Sequence, residues 1–196
     1  MDPAFPDVTA DLEGWRLADE SVETLFRIPG ARVRGATRRF EDERTRAAVC
    51  EATGGRLDRE WRFVAATRLG FEPSLPPGTG PMVMPLVRRE ARDAFAGRLS
   101  ERGLANVRQR SEQRIRVRGD TRARLTRYAA DDHVDGTVSV AGWVGVWHSD
   151  DVFVVTGGHP DCRLADALGL VDPPDAAGQT ASEHREEVLE ALRSVR

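Results

Sequence analysis

Between Arg108 and Tyr128 apolar and charged residues alternate with a period of two, the spacing at which successive side chains leave opposite faces of a β-strand. Ile115 and Val117 fall on one side, and Arg108, Arg110, Arg114, Arg116 and Arg118 on the other. After the turn signal Gly119-Asp120 the pattern resumes, with Ala123 and Leu125 alternating with Arg122 and Arg124. The stretch predicts a β-hairpin with one apolar face and one guanidinium face.

The same reading predicts strands at Thr24–Ile28 and Arg32–Phe40 around the turn Pro29-Gly30. A helix follows from Glu41 to Thr53, with Ala47 and Cys50 inward and Gly54-Gly55 as its stop. Trp61 to Phe71 reads as a strand buried on its odd-numbered face, with Arg62 and Arg68 on the even face. Glu72–Pro81 is too rich in proline for a ladder and reads as a loop. Pro85 then sits in the first turn of a helix whose inner stripe is Val87, Ala91, Phe95 and Leu99, and Gly103 ends it.

Gly136–His148 and Val152–Gly157 form the middle of the sheet, because the second run is apolar on both faces. Asp161–Leu168 is a short helix. Thr180 with Glu183 is a capping box opening a final helix with Val188, Ala191, Leu192 and Val195 inward. Residues 1–13 form a loose lead-in, and 14–196 a single domain. The element order predicts an α+β fold, a mostly antiparallel central sheet of about 6–8 strands with helices packed on it.

Composition sharpens one feature. All 29 basic residues are arginine, which codon bias explains first, although the guanidinium fork also suits bidentate anion recognition. The net charge of −3 argues against a chain coated for nucleic acid throughout. Its distribution is uneven: Arg88–Arg127 holds 13 arginines against 5 carboxylates, and Tyr128–Arg196 holds 4 against 13. Such segments either mark a binding surface or face each other across the fold. Cys50 and Cys162 form no framework and read as reduced thiols. With no signal peptide and no stretch near the roughly 20 apolar residues of a membrane span, the chain reads as soluble and cytoplasmic.

Reaction chemistry is thin. No nucleophile elbow, phosphate loop or dinucleotide fingerprint is present, so the reading leans away from an enzyme and implies no cofactor. His133, His148, His159, His184 and Cys162 follow no metal-ligand spacing, and no metal is expected. Trp143 and Trp147, flanking Gly145 on one strand face, are candidates for a shelf on which a flat ligand stacks; the competing reading is core packed under a helix. The arginines of the hairpin, Arg108, Arg110, Arg114, Arg116 and Arg118 with Arg122 and Arg124, are candidates for binding an anion or a partner. Their competing reading is a solvated face paired with Asp131, Asp132 or the acidic C-terminal helix.

The long helix before a run of meandering strands, closed by a helix ending LRSVR, resembles the α/β/α sandwich of proteins similar to photosystem oxygen-evolving subunit P and the nuclear-import factor Mog. The phrases ATRRFED, VRGD, VAGWVGVWHSD and TGGHPD resemble an uncharacterised family of halophilic archaeal proteins, from whose acidity the mild net charge departs. Both resemblances imply a fold and neither a catalytic motif. The expected function is a non-enzymatic domain binding a protein or small ligand, the alternative a nucleic-acid binder using the arginine-rich hairpin face. No membrane partner is expected.

Overall fold

The computed structural model describes residues 2–76, 78–117 and 121–196. Seven strands form one antiparallel sheet: β1 (Trp15–Ile28), β2 (Ala31–Asp42), β3 (Phe63–Glu72), β4 (Ala105–Arg116), β5 (Arg122–Asp132), β6 (Val138–His148) and β7 (Val152–Pro160). Their spatial order is β1-β2-β3-β7-β6-β5-β4, so the fold is α+β with β6 and β7 inside the sheet, where their apolar runs place them. Tight turns join most neighbours. Helix α2 (Gly80–Glu101) instead carries the chain from β3 to the far edge, making β4 an edge strand.

Two helices cover the two faces. On one side α2 lays Met84, Val87, Ala91, Phe95 and Leu99 over Tyr128, Val144 and Val146. On the other, α5 (Ala181–Arg193) packs Val188, Ala191 and Leu192 over Ile115, Leu125, Trp143 and Trp147. Both helices seat on glycines: a Cβ at Gly142 would lie 2.9 Å from Phe95, and one at Gly157 2.7 Å from Val188. Local chemistry sets the helix ends. The Thr180–Glu183 capping box opens α5, and α2 closes in a Schellman motif in which Leu104 N–H donates to the Leu99 carbonyl (3.2 Å) across Gly103 at φ +83°. No described helix is long and apolar enough to cross a membrane.

Several expectations are corrected. β1 begins at Trp15, nine residues before the expected Thr24, because an edge strand contacts one neighbour only and its residues 18–24 need no apolar alternation. Helix α2 starts at Gly80 with Pro81 in its first turn, which places Pro85 inside the helix. In α1 (Glu43–Ala52) the buried residues are Thr45, Ala48 and Val49 rather than Ala47 and Cys50, because the Asp42 cap and the packing of Val49 set the helix's rotation. β3 is buried on both faces, Val64 and Ala66 lying under α5. The expected loose lead-in is tied down: Asp7 and Arg196 exchange two backbone hydrogen bonds of 2.9 Å, and Val8 and Leu12 pack on the core. Two four-residue helices, α3 (Leu164–Ala167) and α4 (Asp175–Gly178), close one end of the sheet against α1.

Candidate anion-binding groove

The tip half of the β4–β5 hairpin keeps the predicted register. Gln113 stands opposite Leu125 and Ile115 opposite Ala123, all on the α5 side, where Ile115, Ala123 and Leu125 are buried and Val117 packs against the same cluster. The intervening positions pair arginine with arginine: Arg114 opposite Arg124, and Arg116 opposite Arg122. Like charges directly opposite in a ladder oppose pairing, by about 0.2–1 kcal/mol each. No carboxylate among the described residues lies within ion-pair distance of Arg114, Arg116 or Arg122.

The row of five arginines is broken further along. Gln109 faces Tyr128 while Glu112 faces Thr126, three steps on β4 against two on β5, so one extra residue is inserted between them. Parity inverts across that bulge. Arg108, opposite Ala129, therefore lies on the α5 side of the sheet, away from Arg114, and Arg110 sits in the bulge itself. Arg118 lies outside the described residues.

None of the three acidic partners named by the competing reading reaches the tip pairs. Asp131 accepts a hydrogen bond from Asn106 (2.8 Å), and Asp132 pairs with Arg59 (2.6 Å). The acidic helix α5 covers the opposite face of the sheet. On the arginine side stands α2, itself carrying Arg88 and Arg92. Between α2 and the sheet lies a cleft of about 210 Å³ with Val144, Val146 and Pro85 in its wall, and Arg88, Arg92 and Arg124 around it. Among the described residues its single carboxylate is Glu112, whose Oε1 is 3.6 Å from Arg92 and Oε2 3.2 Å from Arg124. Three guanidiniums against one carboxylate leave the cleft cationic, and the unpaired tip arginines extend that potential along the hairpin. Arg88, Arg92 and Glu112 were not singled out from the sequence. Only the packing of α2 onto β5 and β6 brings them to Arg124.

The tryptophan shelf is closed. Trp143 and Trp147 are each 2% exposed, and a Cβ on Gly145 between them would lie 2.2 Å from Leu125 Cδ2, so leucine fills the space left by the glycine. Trp147 stacks on Phe153 with ring centroids 5.4 Å apart. Trp143 Nε1 donates to His159 Nε2 (3.1 Å), leaving the His159 proton on Nδ1, where it donates to the Pro160 carbonyl (2.8 Å). Burial pushes His159 down to about 4 and His184, fully buried on α5 with neither ring nitrogen partnered, down to about 3.

A second polar group escaped the sequence reading. Arg62, read there as the even face of a strand Trp61–Phe71, directly precedes β3, is fully buried beside Trp15 and pairs with Asp42 (2.9 Å) and Glu187, with Gln179 accepting at 2.9 Å. Asp42 also caps α1 through Arg44 N–H and Thr45 N–H. Asp42, Glu187 and Gln179 hold both terminal nitrogens of Arg62 and leave its buried Nε without a hydrogen bond to a described residue. Among the described residues no group of three or more histidine, cysteine or carboxylate side chains is gathered to hold a metal.

A family model described as DUF6517, a domain of unknown function, matches residues 2–196. No curated protein and no solved structure matches the chain.

Proposed function

We propose that this chain, which belongs to the DUF6517 family, a domain of unknown function, is a non-enzymatic binding domain that captures an anionic group, on a small ligand or an acidic protein segment, between α2 and the β4–β5 hairpin. The observation that carries the reading is that Arg114 faces Arg124 and Arg116 faces Arg122 with Glu112 offsetting Arg124 alone, like charges that oppose strand pairing in the free protein and become favourable once an anion lies between them. Two free thiols, Cys50 and Cys162, suit a reducing cytoplasm as the place of action.

A nucleic-acid strand is the second reading, favoured by the continuation of the arginine pairs outside the cleft toward the hairpin tip. Against it stands the absence of a stacking platform in the hairpin: its one aromatic ring, Tyr128, is buried edge-on against Phe95 with centroids 5.7 Å apart. The test is titration of pyrophosphate, an aspartate-rich peptide and a single-stranded oligonucleotide at low salt, with the wild-type chain and an Arg114→Ala/Arg122→Ala variant. The variant is expected to lose at least about tenfold in affinity, the worth of one charge-assisted hydrogen bond. Absence of binding to all three probes refutes the reading, and preference for the oligonucleotide alone selects the second.

A further inference from the structure

Thr126 faces the cleft from its floor, is 4% exposed, and makes no side-chain hydrogen bond to another described residue. Its hydroxyl is not among the described buried polar atoms left without a partner, so it opens onto the cleft, where a ligand oxygen can take the place of solvent on it. Beside it, the Glu112 carboxylate spreads its two oxygens over two guanidiniums on different elements, Arg92 of α2 and Arg124 of β5. Glu112 directly follows the bulge on an edge strand, so its side chain can leave without disturbing a second strand partner. Its pairs are partly exposed and weak. The remaining wall is apolar, with Val144, Val146 and Pro85.

We infer that the cleft accepts a phosphate monoester with a short apolar tail: the phosphate replaces the Glu112 carboxylate between Arg92 and Arg124, Thr126 donates its hydroxyl proton to the ligand, and the tail lies on the valines. This rests on the anion-binding reading above. A carboxylate ligand would only exchange like for like with Glu112. A phosphate brings a charge of about −1.5 to −2 and three acceptor oxygens, enough for both guanidiniums and a third donor. The cleft, about 210 Å³, encloses a head group and a few carbons.

The experiment follows the amide resonances of Thr126, Val144 and Val146 in the full chain during titration with butyl phosphate, inorganic phosphate and butyrate at low salt. Butyl phosphate is expected to bind about tenfold tighter than inorganic phosphate through its buried methylenes. Glu112→Gln, which removes the internal competitor, is expected to tighten butyl phosphate about tenfold. Thr126→Val is expected to weaken it about fivefold. Equal or weaker binding to the Glu112→Gln chain, or butyrate binding as well as butyl phosphate, overturns the inference. If anion binding is lost in Arg114→Ala/Arg122→Ala yet indifferent to Glu112→Gln and Thr126→Val, the monoester inference fails and the broader reading stands. If no anion shifts any resonance of the hairpin or of α2, both fail together.

Discussion

Acidification from pH 7.5 to 5.0 tests the core through its two buried histidines. His159 and His184 face Arg62, Arg127, Asp161 and Glu183, and burial is the largest influence on both, lowering them from 6.5 to about 4 and about 3. In the unfolded chain each titrates near 6.5, so between that value and the folded one the unfolded state binds the extra protons. The stability contributed by neutral, buried rings is complete above pH 6.5 and declines as pH falls toward the folded values. Each ring costs about 1.4 kcal/mol per pH unit below 6.5, hence about 2 kcal/mol at pH 5.0 and about 4 kcal/mol for the pair. That is a large share of the roughly 5–15 kcal/mol by which domains are stable. Urea unfolding followed by tryptophan fluorescence at pH 7.5, 6.0 and 5.0 measures it. His184→Leu separates the two rings: neither ring nitrogen has a partner, so the variant should be no less stable at pH 7.5 and should lose only about 2 kcal/mol at pH 5.0. Equal stability of the wild type at pH 7.5 and 5.0, or an undiminished acid loss in His184→Leu, refutes the reasoning.

Asp42→Ala removes both the α1 cap and the fully buried one of the two carboxylates paired with the Arg62 guanidinium, and a loss of about 3–5 kcal/mol is expected in chemical denaturation. Gly145→Ala drives a Cβ to 2.2 Å from Leu125 Cδ2, so melting should show a loss of about 1–3 kcal/mol, and the same change should cost less in a Leu125→Ala background, although Leu125→Ala is itself destabilising; strict additivity of the two would contradict the stated contact. Thr180→Ala breaks the capping box of α5 and should cost about 1 kcal/mol, read as a lowered denaturation midpoint with unchanged slope.

What is local was legible from the chain alone. The stripe of α2, the capping box of α5, the Gly103 stop and the faces of Ile115 and Leu125 each depend on neighbours within a turn or one hairpin, where chain geometry permits only a helical or a two-residue repeat. The antiparallel α+β architecture follows from strands too closely spaced for crossovers, with β6 and β7 inside the sheet because both their faces are apolar. Long-range packing settled the rest. The bulge before Glu112 reverses Arg108 to the other side, which no alternation of residue types announces. Arg62 reads as an exposed strand position until Glu187, 125 residues away, arrives as its partner. Arg88 and Arg92 are ordinary helix-surface residues until α2 docks beside Arg124. Charge pattern alone could name the guanidinium face but not its surroundings, because what covers a face depends on which of two helices lands on it. The acidic α5 lies on the apolar side and the basic α2 on the charged side, so the groove stays cationic rather than neutralised from within.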